Sequence, residues 1–461
     1  MADSKGKVVL NIGGGWATDF GPSFTAAPQG NSLTVPFLVT ADNVYFELDG
    51  GPHKVGGTSK LNSVAQSTIH GFTDFWIQGI LGTEVQKRFA YIGTKLMKED
   101  LDGTWDELTS GLEDNKQPCF EIFKDNIFWA STSTVDYPRY WDGSAGSTSL
   151  VGGTCPNFSF MVRHKNRMWG AGNPAAPSRL YYCDDLDPQD WVGGGSIDVD
   201  PDDGDKITGL VSHKNELLIF KGTHRLSVHR ITGSAPAGDD AYARVPFVNG
   251  VGAINHNSIF RVNDDLVFAS PRGIHSLAAT AAYGDYVEAF LSRPILTYYQ
   301  DELNHTALNT CWGVNYQGKG IALWTMPKAG GSAKNVLLAY DYRFQPGRWA
   351  RWDSATGHLA ANCLAQLQTS AGQHKLFAGT TDGYVHQLDT ASRSVAGSGG
   401  YTANVVMPFV NMGSSAMLKT AEDGFLSIQP KGDYTITFGW TRDRNAEQTV
   451  SLTQTSGDTL G

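Results

Sequence analysis

The chain has 461 residues and a net charge of −10, an acidic balance (pI near 5.6) that argues against a conventional nucleic-acid-binding face. Charged residues make up 18% of it, below the roughly 25% of an average soluble domain, which suggests a surface partly covered by other subunits. No run approaches the ~18 apolar residues of a membrane span, and the opening MADSKGKVVLNIGGG has no apolar core long enough for a signal peptide, which predicts a protein made and folded in a cytoplasm.

Residues 1–40 read as a Gly-rich N-terminal arm with one strand at Lys7–Ile12. Gly13–Gly15 follow that strand, but a dinucleotide fingerprint would need a third glycine where Thr18 stands, and no helical pattern follows. Asn43–Leu48 alternates as a strand, Asp49–Pro52 is a turn, and Lys54–Leu61 reads as a loop. Ile69–Ile80, Phe89–Tyr91 and Lys95–Lys98 form a first sheet, closed by Gly103-Thr104-Trp105. Phe120–Phe123 and Ile127–Ala130 flank the turn residues Lys124-Asp125-Asn126 in the next, which ends at Tyr140-Trp141-Asp142-Gly143. Phe158–Val162, Met168–Gly170 and Leu180–Tyr182 come third, ending at Asp187–Trp191.

Gly209–His213, Leu217–Phe220 and Leu226–His229 form the clearest unit, with turns at Lys214–Glu216 and Lys221–Arg225. Ile259–Val262, Leu266–Ala269 and Gly273–Leu277 repeat it. A helix-like insertion, VEAFLSRPILTYYQDEL, follows up to Leu303 and is broken by Pro294. Trp312–Tyr316, Gly320–Thr325 and Val336–Tyr340 precede Gly347-Arg348-Trp349, and Leu364–Leu367, Lys375–Ala378 and Tyr384–Leu388 make the last unit. After Gly397–Gly400, Asn404–Val410, Gly424–Gln429 and Tyr434–Trp440 are strand-like, and Gln448–Gly461 is a last strand or a frayed tail.

Units that recur every ~40–50 residues, each unable to bury both sheet faces alone, are the signature of a β-propeller. The predicted fold is all-β: a propeller of about seven four-stranded blades over residues 41–400, closed by a strand from one terminus in the sheet of the other, with a small β extension at 401–461. Trp105, Trp141, Trp191 and Trp349, near Gly and Asp at the blade ends, read as aromatic pins.

Residues that could carry chemistry are sparse. The run Asp198-Val199-Asp200-Pro201-Asp202-Asp203-Gly204-Asp205 has the oxygen density for Ca²⁺, but an EF-hand starting at Asp198 would need its glycine one place earlier and a glutamate at Gly209. The run therefore reads as a solvated turn between two blades before it reads as an ad hoc Ca²⁺ site. Asp100–Trp105 fails the Asp-box of sialidase propellers at Lys98 and Asp102. No nucleophile elbow, zinc-helix motif or P-loop occurs. His164 and His213 occupy matching places in two units, which favours a structural role. The pairs Asp184-Asp185, Asp239-Asp240 and Asp264-Asp265 fall at turns. Cys119, Cys155, Cys183, Cys311 and Cys363 are widely spaced and fit free thiols in a reducing compartment. The expectation is a non-enzyme with no catalytic, cofactor or metal residues. The alternative is a propeller enzyme or lectin acting on host-surface polysaccharide, with aromatic platforms and facing carboxylates.

DNVYFELDGGPHKVGG, the unit FEIFKDNIFWA with YPRYWDG, RLYYCDDLDPQDW, and LLIFKGTHRLSVHRITG with DDLVFASPRGIHSL resemble virion proteins of tailed bacteriophages. Over residues 40–440 the chain is most similar to the β-propeller tail nozzle or tail hub proteins of short-tailed phages. The resemblance implies a homohexameric ring in the tail tube, below the portal and its adaptor, that gates and conducts the genome. Tail fibre or needle proteins would dock outside, and double-stranded DNA would pass without specific binding through a channel whose wall is acidic or neutral. The protein would be assembled in the host cytoplasm and end in the virion tail. The family brings no catalytic residues, and this chain lacks a long insertion that would mark a gate or fibre platform.

Overall fold

The computed structural model describes residues 9–12, 14–19, 23–24, 32–48, 50–78, 84–152, 154–238, 241–277, 290–369, 371–392, 394–397, 399–410, 434–441 and 447–454. Two compact units divide the chain, at Met1–Met412 and Gly413–Gly461.

The larger unit is a seven-bladed propeller. Blade one is Ile69–Gln78, Glu84–Ile92, Lys95–Glu99 and Trp105–Thr109; blade two is Pro118–Phe123, Asn126–Ser131, Arg139–Trp141 and Ser149–Leu150. Blade three is Phe160–His164, Arg167–Ala171, Arg179–Tyr182 and Gly195–Asp198; blade four is Ile207–His213, Glu216–Lys221, Ser227–Thr232 and Ala243–Asn249. Blade five shows Phe260–Val262, Asp265–Ser270 and Gly273–Ser276 among the described residues. Trp312–Tyr316, Ile321–Met326, Val336–Asp341 and Arg348–Asp353 form blade six. Within each blade the strands are antiparallel and joined in chain order, so tight turns suffice. The first hairpins of blades two and four turn through Lys124 (φ 47°) and Asp125 (φ 59°), and through Lys214 (φ 47°) and Asn215 (φ 64°). Such primed turns match the strand twist.

Blade seven closes the ring. Cys363–Gln368, His374–Gly379 and Val385–Thr390 come from the end of the propeller, and its outer strand is Gly57–Lys60, with Ser59 opposite Gln387. The segment GTSK reads as loop because it has no apolar alternation; the edge of Val385–Thr390 makes it a strand. Asn62 locks the junction, donating to the carbonyls of Gly383 (3.0 Å) and Val64 (2.7 Å) and accepting from the Val385 N–H (2.8 Å).

Blade six grows outward. Thr40–Asp42 pairs parallel to its last strand, and Asn404–Val406 pairs antiparallel to Thr40–Asp42. Residues on both sides of the predicted 40/41 and 400/401 boundaries therefore share one sheet. Gly15 lies so close to Trp349 that a Cβ would come within 2.6 Å of its amide nitrogen, and Trp16 donates to the Trp349 carbonyl (2.8 Å). Close backbone approach is the service of that glycine.

Among the described residues of the predicted helical insertion, Pro294 sits in the 3-10 turn Arg293–Ile295 and Leu296–Asp301 is α-helical, its first N–H groups held by the Asp19 carboxylate at 2.9 Å. Gly424–Gln429, like Lys7 and Gly13, lies outside the described residues.

Aromatic side chains fill the spaces between blades. Trp141 of blade two meets Phe75 and Phe89 of blade one at 5.9 and 6.1 Å, Phe220 of blade four meets Phe268 of blade five at 5.2 Å, and Phe260 meets Trp324 of blade six at 5.0 Å. Trp105, Trp141, Trp191 and Trp349 are all buried. Each such pair contributes about 0.5–1.5 kcal/mol beyond area burial.

Candidate functional site

The first strands of successive blades lie side by side around the axis, from Ile69–Gln78 to Cys363–Gln368, which packs back on Ile69–Gln78. Each presents an edge with no further strand beyond it, so its N–H and C=O groups need other partners. Polar side chains of neighbouring blades supply them. Asp74 accepts from the Gln368 N–H, and Glu121 from the Arg163 N–H. Arg261 donates to the Ser212 carbonyl, Asn315 to the Arg261 carbonyl (2.8 Å), and Gln366 Oε1 accepts from the Gln317 N–H (3.1 Å). His164 Nδ1 lies 2.9 Å from Ser212 Oγ, which gives one of the two matched histidines a blade-linking role.

At the other end of these strands the axis is closed. The 3-10 turn His256–Ser258 packs against the first strands of blades four and six. Asn255 donates to the carbonyls of Asn309 and Cys311 (both 2.8 Å) and to Gln117 Oε1 (3.3 Å), while Gln117 donates to the Thr310 carbonyl (2.6 Å). His256 Nε2 is 3.3 Å from Cys119 Sγ, and its ring stacks on Phe160. Blades two and five are not neighbours, so these bonds span the axis.

The acidic run is held by the chain's own groups. Asp198 pairs with Arg179 (2.6 Å), and Asp200 with Arg244 (2.9 Å). Asp203 meets the buried Lys221 at 2.6 Å, and Asp205 accepts backbone N–H bonds from Thr223, His224 and Arg225. Those N–H groups are among the causes that draw the Asp205 carboxyl below its ordinary range despite burial. The sequence reading placed Lys221 in a turn, but it ends a strand with its ammonium beneath the acidic loop. Carboxylates already neutralised have little to offer a cation that wants six to eight oxygens. Adding about 1 mM Ca²⁺ should leave the melting temperature unchanged; a clear upward shift would reveal a calcium site there.

Among the described residues no group of three or more His, Cys, Asp or Glu side chains could hold a metal. All five cysteines are free and buried. Burial pushes Cys119, Cys311 and Cys363 up to about 12 and Cys183 up to about 11, so these thiols stay protonated at neutral pH. Asp184 lies 3.5 Å from Arg167, and Asp265 accepts from Ser276 Oγ; Asp239-Asp240 lies outside the described residues.

Buried histidines set the pH response. Desolvation holds His164, His358 and His386 down to about 4 and His275 to about 3. The unfolded chain takes up these protons near pH 6.5, so their contribution is whole above 6.5 and is lost as pH falls toward 4. Glu121 acts in the opposite sense: burial raises it from 4.5 to about 6, so its contribution is present below about 4.5 and is lost as pH rises through about 6. A melting series should decline steadily below pH 6.5. Glu121→Gln should melt higher than wild type at pH 7.5, by a gain of about 1–2 kcal/mol, and equal melts at that pH would exclude a carboxylate raised by burial.

Two groups of exposed apolar side chains lie on strands near the C-terminal end of the sequence. Asn404–Val406 is a sheet edge, and Val405, Val406, Met407 and Phe409 around it are 37–41% exposed. In the smaller unit, Tyr434–Trp440 pairs with Gln448–Gln454 as a hairpin with Phe438 opposite Val450. Ile436, Phe438, Trp440 and Val450 share one face, and Thr435, Thr437, Thr449 and Ser451 the other. Phe438, Trp440 and Val450 are exposed.

No family model and no curated protein matches the chain. Solved structures similar to it include the extracellular domain of a one-component system from B. thetaiotaomicron (TM-score 0.46, 12% identity, covering 72% of this chain and 40% of that one). A second is the extracellular domain of a hybrid two-component system from the same bacterium (TM-score 0.47, 12% identity, 72% and 39%). YCF48 bound to D1 peptide is a third (TM-score 0.43, 11% identity, 73% and 98%). The chain spans about 40% of the length of the first two.

Proposed function

We propose that this chain is a structural ring component of a bacteriophage tail, of the nozzle or hub type, whose copies together surround the path of the ejected genome. The observation that carries this reading is the pair of uncovered apolar surfaces. A two-stranded hairpin is marginal in water by itself, and one exposing Phe438, Trp440 and Val450 is completed by burying that face. The outer edge of Asn404–Val406, which pairs with no further strand among the described residues, is a site for pairing with another chain. A propeller latched around its axis by side-chain bonds is a rigid wall element, suited to repeated placement in a ring. The portal adaptor above and fibre or needle proteins outside are the partners this role implies.

Light scattering and negative-stain imaging of the purified protein test the proposal, with hexameric rings as the expected result. Monodisperse monomers at a concentration roughly tenfold above a micromolar dissociation constant would overturn it. The net charge of −10 further predicts no retention of duplex DNA at about 0.15 M salt. Tight binding that weakens steeply with salt would mean a basic wall, and the conduit reading would fall with it.

A further inference from the structure

An open cleft of about 560 Å³ lies where blades two and three meet, within the ~300–1,000 Å³ of small-ligand sites. Thr134 and Tyr137 come from the loop before the third strand of blade two, Thr154 and Asn157 from the segment entering blade three, and Asn173 and Pro174 from a loop of blade three. Among the described residues no carboxylate and no cationic side chain lines it, and burial pushes the lining Cys155 thiol up, which keeps it protonated. Tyr137 presents its ring with 53% of its surface exposed.

The walls are fixed before any ligand arrives. Ser133 Oγ donates to the Glu113 carboxylate (2.6 Å) and accepts from the N–H groups of Val135 (3.1 Å) and Asp136 (2.8 Å). Asp136 returns a bond by accepting from the Glu113 N–H (2.8 Å). Across the cleft, Asn173 accepts from the Ala175 N–H (2.9 Å) and donates to the Tyr181 hydroxyl (3.2 Å), which sets its amide plane. Asn157 Oδ1 is buried and meets no hydrogen-bond donor among the described residues.

We propose that this cleft binds a neutral carbohydrate, a role separate from ring assembly. A sugar has an apolar C–H face and a rim of hydroxyls that both donate and accept. Tyr137 offers a rigid platform for the first at low entropic cost. The Asn173 amide and the hydroxyls of Thr134 and Thr154 offer both hydrogen-bonding senses for the second. An ionised ligand would find no counter-charge here and would lose its hydration uncompensated. A purely apolar one would take the Thr134 and Thr154 hydroxyls out of water without pairing them.

The test is a microarray of neutral hexose and N-acetylhexosamine oligosaccharides beside sialylated and sulfated ones, probed with the full chain. Saturation-transfer NMR on the strongest neutral glycan then compares wild type, Tyr137→Phe and Tyr137→Ala, each checked for an unchanged melt. Tyr137→Phe should bind as wild type does, and Tyr137→Ala should lose about tenfold in affinity. Absence of any neutral glycan, binding of acidic glycans alone, or equal binding by Tyr137→Ala each overturns the proposal. None of these readouts depends on the oligomeric state.

Discussion

An Asp203→Ala variant should lose about 3–5 kcal/mol of unfolding free energy. The Lys221 side chain is fully buried and gives its three protons to Asp203 Oδ1 (2.6 Å), the Val199 carbonyl (2.9 Å) and the Asp200 carbonyl (3.0 Å). Asp203 is itself mostly buried, so solvent screens the pair weakly. Removing the carboxylate leaves an ammonium in the core with two neutral acceptors and no counter-charge, which costs far more than an exposed pair is worth. Adding Lys221→Met in the same chain should recover part of the loss, because an apolar side chain needs no partner. Urea unfolding followed by tryptophan fluorescence reads both steps. A loss under about 0.5 kcal/mol for Asp203→Ala, the size of an ordinary surface change, would mean that water or another carboxylate takes over.

A chain started at Leu61 should fail to give soluble, monodisperse protein. It lacks the outer strand Gly57–Lys60 of blade seven, and with it the means by which the first and last blades become one ring. The unpaired edge of Val385–Thr390 would then be open to other chains. The cut also takes Asn43, whose Oδ1 accepts from the Asp353 N–H at 2.8 Å, and Asp42, the carboxylate partner of Arg351. A chain started at Pro52 keeps the closing strand while losing those contacts, so it should stay soluble and melt lower than the full chain. Equal solubility and equal melting of the Leu61 start would refute closure by this strand. Asn62→Ala probes the same seam more gently, and loss of its three bonds should cost about 1–3 kcal/mol.

The sequence by itself determined the repeat and therefore the architecture. Unbroken apolar runs in Leu217–Phe220, Ile127–Ala130 and Leu266–Ala269 make strands buried on both faces, so their sheets must stack, and turn residues such as Lys214-Asn215 place their hairpins within a residue or two. The tryptophans at blade ends were legible as packing groups because so large a side chain near a turn has few other uses. Tertiary structure alone decided what depended on partners far away in the chain. Gly57–Lys60 has no pattern of its own and is a strand only because Val385–Thr390 offers an edge. Asn255–Ser258 looks like any polar loop, yet it closes the axis through Gln117 and Cys119, whose distance in sequence hides their proximity. The acidic run at Asp198–Asp205 suggested a cation from outside; folding supplies Arg179, Arg244 and Lys221 instead. The cleft at Tyr137 joins three loops, none of which carries a motif. Local periodicity is written in neighbouring residues, whereas charge compensation, closure and concavity arise only when the ring brings distant ones together.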